Sequence, residues 1–132
     1  MKKILFVGVI LALAYGLSII HSAPISAQTN SNNNKVVDIS IVSGSRSASN
    51  LKFYDPTKAN ITVGTAVTWT NNDDTYHTVT SGNNPNSPSI GNLFDSSYIS
   101  PGQTFTYNFT KSGTFDYFCF IHPFMKGQVI VK

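Results

Sequence analysis

Glutamate is absent from this chain of 132 residues, cysteine occurs once, and charged residues make up only 11%. A single cysteine, Cys119, excludes an internal disulfide, so stability has to come from a hydrophobic core or from a bound metal. Lysine and arginine nowhere form a cluster, which leaves little to neutralise a phosphate backbone and sets nucleic acid aside as a partner. The formal net charge of +3 shrinks once Lys2 and Lys3 are assigned to the N-terminal segment: from Gln28 onward seven basic residues face six Asp, a net of +1. Sustained helical periodicity and internal repeats are also missing. What is present is 41% apolar and 12% aromatic residues, enough to pack one domain but not two at this length.

The N-terminus reads Met1-Lys2-Lys3, then an apolar run from Ile4 to Ile20, then small residues around Ala23 and Ala27. A basic start, an apolar stretch and a small-residue site form a secretory signal, so residues 1–27 are expected to direct the chain out of the cytoplasm. The run is long for a signal and short for a span of roughly 20 residues, which keeps an uncleaved N-terminal anchor, and with it a membrane tether, as the alternative. Residues 28–34 (QTNSNNN) are polar with nothing to bury and read as a flexible linker.

From Lys35 the texture changes. Runs rich in Val, Ile, Thr, Tyr and Phe alternate at period two: Val36–Val42, Ala66–Thr70, His77–Thr80, Thr104–Phe109, Thr114–Cys119 and Gln128–Val131. Turn formers punctuate them at Gly44, Asp55-Pro56, Gly64, Asn71–Asp74, Ser100-Pro101-Gly102 and Lys111-Ser112-Gly113. Many short strands at this spacing predict an all-β sandwich over residues 35–132. Trp69, in phase with Val67, belongs to its core. Ser81–Asn92 is expected to be a long, exposed, mobile loop. Asn60-Ile61-Thr62 and Asn108-Phe109-Thr110 match the glycosylation acceptor pattern, which chance produces often.

After the signal the chain retains one Cys, two His and one Met: Cys119, His77, His122 and Met125. Three of them share seven residues, Cys119-Phe120-Ile121-His122-Pro123-Phe124-Met125, a C-x2-H-x2-M loop. A soft thiolate, two imidazoles and a thioether are the donors of a trigonal copper site with a weak axial Met. Taken singly each has a plainer reading: Cys119 as a buried structural cysteine, His77 as an ordinary strand residue, Met125 as core filler. Their joint spacing favours ligation. Pro123 restricts the backbone on both sides of its own peptide bond and stiffens the loop. Asp73 and Asp74 read as turn residues that could add a weak acidic edge.

The stretch Phe115–Gly127 (FDYFCFIHPFMKG) resembles the copper loop of the cupredoxins. Its short C-x2-H-x2-M form resembles that of amicyanin; plastocyanin and pseudoazurin have a longer gap before Met. Val67–Asp73 leading to His77-Thr78-Val79 resembles the segment around the first family histidine, and the likeness covers about Val36 to Lys132. The resemblance implies a Greek-key β-sandwich of about eight strands with copper at one end. It also implies that His122 is the solvent-edge ligand through which electrons pass. Two residues depart from the pattern: Thr78 stands where several members have Asn, and Tyr76 where a small residue or Pro is frequent.

The expected function is that of a blue-copper one-electron carrier outside the cytoplasm, periplasmic, extracellular or on the outer face of the cell membrane. It would be a monomer that docks transiently on a redox protein donor and acceptor near His122, Pro123 and Phe124. No catalytic residue is assigned, since no spare acid or base accompanies the ligands. A copper enzyme needs further ligands that two mature His cannot supply. Copper storage or delivery is the alternative, though the chain has no Met-rich tract. A metal-free binding sandwich with an inert cysteine is the third reading.

Overall fold

The computed structural model describes residues 35–132; the signal or anchor and the linker expected over residues 1–34 lie outside the described residues. Every regular element among the described residues is a strand: β1 (Val36–Ile41), β2 (Tyr54–Asp55), β3 (Lys58–Ile61), β4 (Thr65–Asn71), β5 (Thr80–Ser81), β6 (Thr104–Phe109), β7 (Gly113–Phe118) and β8 (Lys126–Val131). They form two four-stranded sheets, ordered β2-β1-β4-β6 and β3-β8-β7-β5. β1 runs parallel to β4 and β3 parallel to β8, while β4–β6, β7–β8, β1–β2 and β5–β7 are antiparallel. Neighbours in a sheet are seldom neighbours in sequence, so the chain crosses between sheets repeatedly. This is the Greek-key sandwich of eight strands.

Period-two alternation explains how the strands bury one face each. β4 alternates buried and half-buried residues along its whole length, with Val67 and Trp69 fully buried. Trp69 stacks near Phe105 at 5.8 Å and meets Tyr117 edge-on at 5.3 Å, joining the two sheets. Tyr54, Ile39, Ile41, Phe109 and Val129 complete the interior. Burial of an aromatic or branched side chain of this kind contributes about 1.5–3 kcal/mol. Among the described residues the core requires a glycine at Gly127, where a Cβ would overlap the Tyr117 ring.

Three expectations need amendment. β2 and β3 were not among the expected strands. The run His77–Thr80 is not a ladder: only Thr80–Ser81 pairs with β7, and His77 joins Ile99 by an isolated bridge. The segment Ser81–Asn92 is only partly exposed, and it is clipped to the body by Gly82 N–H to Asp116 O (2.9 Å) and Gly91 N–H to Ser81 O (2.8 Å).

The registers place the site. β4 ends at Asn71, β7 ends opposite the start of β8 (Phe118 with Lys126), and β6 begins opposite Thr70, so the loops after β4 and β7 leave the sheets at one pole.

Candidate metal centre

The loop after β4 is shaped by Asn71, which is fully buried. Its Nδ2 donates to Thr75 O (2.7 Å) and Ile99 O (2.9 Å), and its Oδ1 accepts from Asp73 N–H (3.0 Å). One side chain thus folds residues 72–76 back on themselves and delivers His77 to the interior. Backbone bonds in both directions between His77 and Ile99 (3.2 and 2.8 Å) hold it there.

The loop after β7 is equally tight. His122 N–H donates to Cys119 O (3.2 Å), Met125 N–H to His122 O (2.9 Å), and Cys119 N–H to Met125 O (3.1 Å). Three backbone bonds in seven residues leave little freedom for the positions of Cys119, His122 and Met125. The two loops are stitched together by Thr78. Its N–H donates to Cys119 Sγ (3.3 Å), and its hydroxyl accepts from Phe120 N–H (2.7 Å). The departure from Asn at this position therefore keeps a cross-loop bond, made by a hydroxyl. Tyr54, buried beneath, donates from its hydroxyl to Thr78 O (3.4 Å); burial first, then Cys119 and Tyr117, push its pKa well up, so it stays a donor. Tyr76 turns outward and packs edge-on against Tyr98 at 6.3 Å.

The structure brings His77, Cys119 and His122 together, with one donor atom from each within 4.8 Å of the others. Cys119 Sγ lies 3.7 Å from Nδ1 of His77 and 3.7 Å from Nδ1 of His122, and the two rings are 4.9 Å apart. Metal–N and metal–S bonds of about 2.0 and 2.3 Å at a trigonal angle put donors about 3.7 Å apart. The spacing and the soft donor set therefore fit a single copper ion. Met125 is fully buried, and its backbone bonds tie it to both Cys119 and His122. His77 and Cys119 have no exposed surface, whereas His122 is half-buried. Burial, then the neighbouring His77, hold the His122 imidazole below its ordinary pKa against the opposing pull of Asp73, so it is neutral at pH 7 with a lone pair to give.

Around His122 the surface is apolar. Phe120 (51% exposed), Ile121 and Phe124 face solvent, and Pro123 is exposed beside them. Phe118, by contrast, is fully buried and belongs to the packing. Phe124 touches both His122 (5.8 Å) and Phe53 (5.3 Å), which bridges the rim to the loop after β1.

One residue was misjudged from the sequence. Asp73, read as a turn residue, is buried, and its Oδ2 lies 2.9 Å from His77 Nε2. A carboxylate only accepts, so Nε2 carries a proton, and in the neutral ring Nδ1, which faces Cys119, keeps the lone pair that could bind a metal. Burial would raise the Asp73 carboxyl; hydrogen bonds from His77 and from the N–H groups of Gly44, Asp74 and Arg46 outweigh it and hold the pKa at about 2. The available signal was its place four residues before the only candidate histidine on that side of the chain.

A two-sheet sandwich closed at one pole over two imidazoles and a cysteine sulfur, with a buried methionine in the same loop, has the makings of a small copper protein. Residues 40–132 match the family model of copper binding proteins, plastocyanin/azurin family, and the chain belongs to that family. Amicyanin-alpha of Methylorubrum extorquens is 37% identical over 82 residues, covering 62% of this chain and 66% of that protein. Amicyanin of Paracoccus denitrificans is 32% identical over 83 residues, covering 60% of this chain and 58% of its own length. The chain thus matches a little under two thirds of these curated relatives. A purple cupredoxin from Nitrosopumilus maritimus superposes with a TM-score of 0.66 at 33% identity, over 73% of this chain and 99% of that one.

Proposed function

We propose that this protein is a mononuclear type 1 copper electron carrier working outside the cytoplasm, with His77, Cys119, His122 and Met125 as the ligands. The observation that carries the reading is Cys119 Sγ lying 3.7 Å from Nδ1 of each histidine, inside a site tied together by backbone bonds. Copper, when bound, supplies a Cu(II)/Cu(I) couple. The protein's part is to hold the donors still, so that little rearrangement accompanies gain or loss of an electron. The clasp of three backbone bonds, the Thr78 bonds and Pro123 serve that end.

One electron arrives from a reduced donor protein and later leaves to an oxidised acceptor. His122 is the ligand at the surface, so its edge is the port. Pro123, Phe124 and Phe120 form the apolar rim on which partners dock briefly, in the manner of small transient interfaces. Amicyanins among the relatives support a carrier rather than an enzyme. An extracytoplasmic place accords with the basic and apolar start of the chain.

Copper storage or delivery is the competing role, and a spectrum separates the two. The copper-loaded protein is expected to show an intense thiolate-to-Cu(II) band that bleaches on reduction and returns on oxidation. Cys119→Ser is expected to abolish it. A colourless protein that releases Cu(I) readily would favour delivery, and a band surviving Cys119→Ser would remove the thiolate from the ligand set.

A further inference from the structure

We propose that Asp73 is a buried electrostatic anchor of the metal centre, a positioning residue that fixes His77 and biases the couple toward Cu(II). The inference rests on the copper reading above. Its basis is the way the carboxylate is held. An aspartate in a turn ordinarily caps its own turn. Here two of the four bonds reach across the fold: Oδ1 accepts from Asp74 N–H (2.9 Å) and also from Gly44 N–H (2.8 Å), 29 residues away. Oδ2 accepts from Arg46 N–H (3.0 Å), 27 residues away, and from His77 Nε2–H (2.9 Å). Both oxygens are saturated, so the bond to His77 cannot be exchanged for another without breaking the cradle.

The charge is also uncompensated by any ordinary cation. The Asp73 side chain is 1% exposed, and its one ion-pair partner among the described residues is His77. The nearby guanidinium of Arg46 goes elsewhere, to the solvent-exposed Asp74 at 3.1 Å. A buried carboxylate needs hydrogen bonds and a counter-charge. Backbone N–H groups supply the first, and a metal cation held by His77 would supply the second.

The consequence has a sign. With the Cys119 thiolate and the Asp73 carboxylate both negative, Cu(II) is balanced and Cu(I) leaves one negative charge in a site of low dielectric. The bond to Nε2–H also makes His77 a stronger donor toward the ion, as such outer partners do. Both effects favour the oxidised form and lower the reduction potential.

The test compares two neighbouring carboxylates in the copper-loaded protein by spectroelectrochemistry. Asp73→Asn, nearly isosteric, is expected to keep a full copper load and the thiolate band while moving the potential to a clearly more positive value. Asp74→Asn, which removes an exposed and solvent-screened charge, is expected to leave the potential close to that of the unmodified protein. An unchanged potential in copper-replete Asp73→Asn, or an equal shift in Asp74→Asn, overturns the proposal. Should Asp73→Asn fail to fold, NMR of the unmodified Cu(I) protein decides: a slowly exchanging Nε2 proton on His77 is expected, and a rapidly exchanging one counts against the anchor. Absence of any thiolate band in the unmodified protein would instead sink the copper reading itself.

Discussion

Cys119 is the residue on which the site turns, because its sulfur receives Thr78 N–H and faces both imidazoles at once. Met125 has a different standing. Its backbone closes the loop, so a substitution that keeps the backbone keeps the clasp. Met125→Leu preserves volume within a modest cost, and is expected to retain copper after dialysis while shifting the potential, because a thioether in the axial place proposed for Met125 would tune the ion more than anchor it. Loss of copper from that variant would reverse this division of roles. Asp73 adds an acid dependence to the metal-free protein. Its folded pKa of about 2 lies below the ordinary carboxyl value of 3.8, so its contribution is complete above the latter and fades as pH falls through the former. A shift of this size corresponds to about 2 kcal/mol. Urea unfolding of the apo-protein should show stability falling across that window, and Asp73→Asn should flatten the fall.

Elements carry the next set of consequences. The end of β4 and the loop after it depend on Asn71, whose three side-chain bonds have no substitute partner in the buried loop. Asn71→Ala is expected to cost roughly 2–3 kcal/mol, since it strands buried backbone groups, and to weaken copper retention by releasing His77. At the start of β8, Gly127→Ala would drive a methyl into the Tyr117 ring, and thermal unfolding should register overpacking of about 1–3 kcal/mol. The longer strands were legible because each buries one face and so alternates. β2 and β3 were not, because runs of two and four residues are too short to show a period, and β3 owes its place to a parallel partner at the far end of the chain. The run His77–Thr80 alternates polar and apolar as a strand does, yet His77 bonds to Ile99 and Val79 to the Ser96 hydroxyl, and only at Thr80 does the chain join a ladder. Here alternation in the sequence marks neither an exposed face, since all four residues are buried, nor what the backbone bonds to.

For the molecule as a whole, the apo and copper forms should differ in stability. A metal bound by the folded state alone adds stability by mass action, about 2.7 kcal/mol at a free concentration one hundred times the Kd. The copper-loaded protein is therefore expected to melt above the apo form in calorimetry, and equal melting temperatures at saturating copper would argue against a preformed site. The residues themselves determined which donors the chain can offer and half of their arrangement: Cys119, His122 and Met125 sit in one short loop, where spacing along the chain is spacing in space. The tertiary structure decided the rest. His77 meets the sulfur across 42 residues, and Asp73 finds its cradle in a turn before β2. Such meetings follow from how eight strands are ordered and registered in two sheets, and no local pattern of side chains encodes that order.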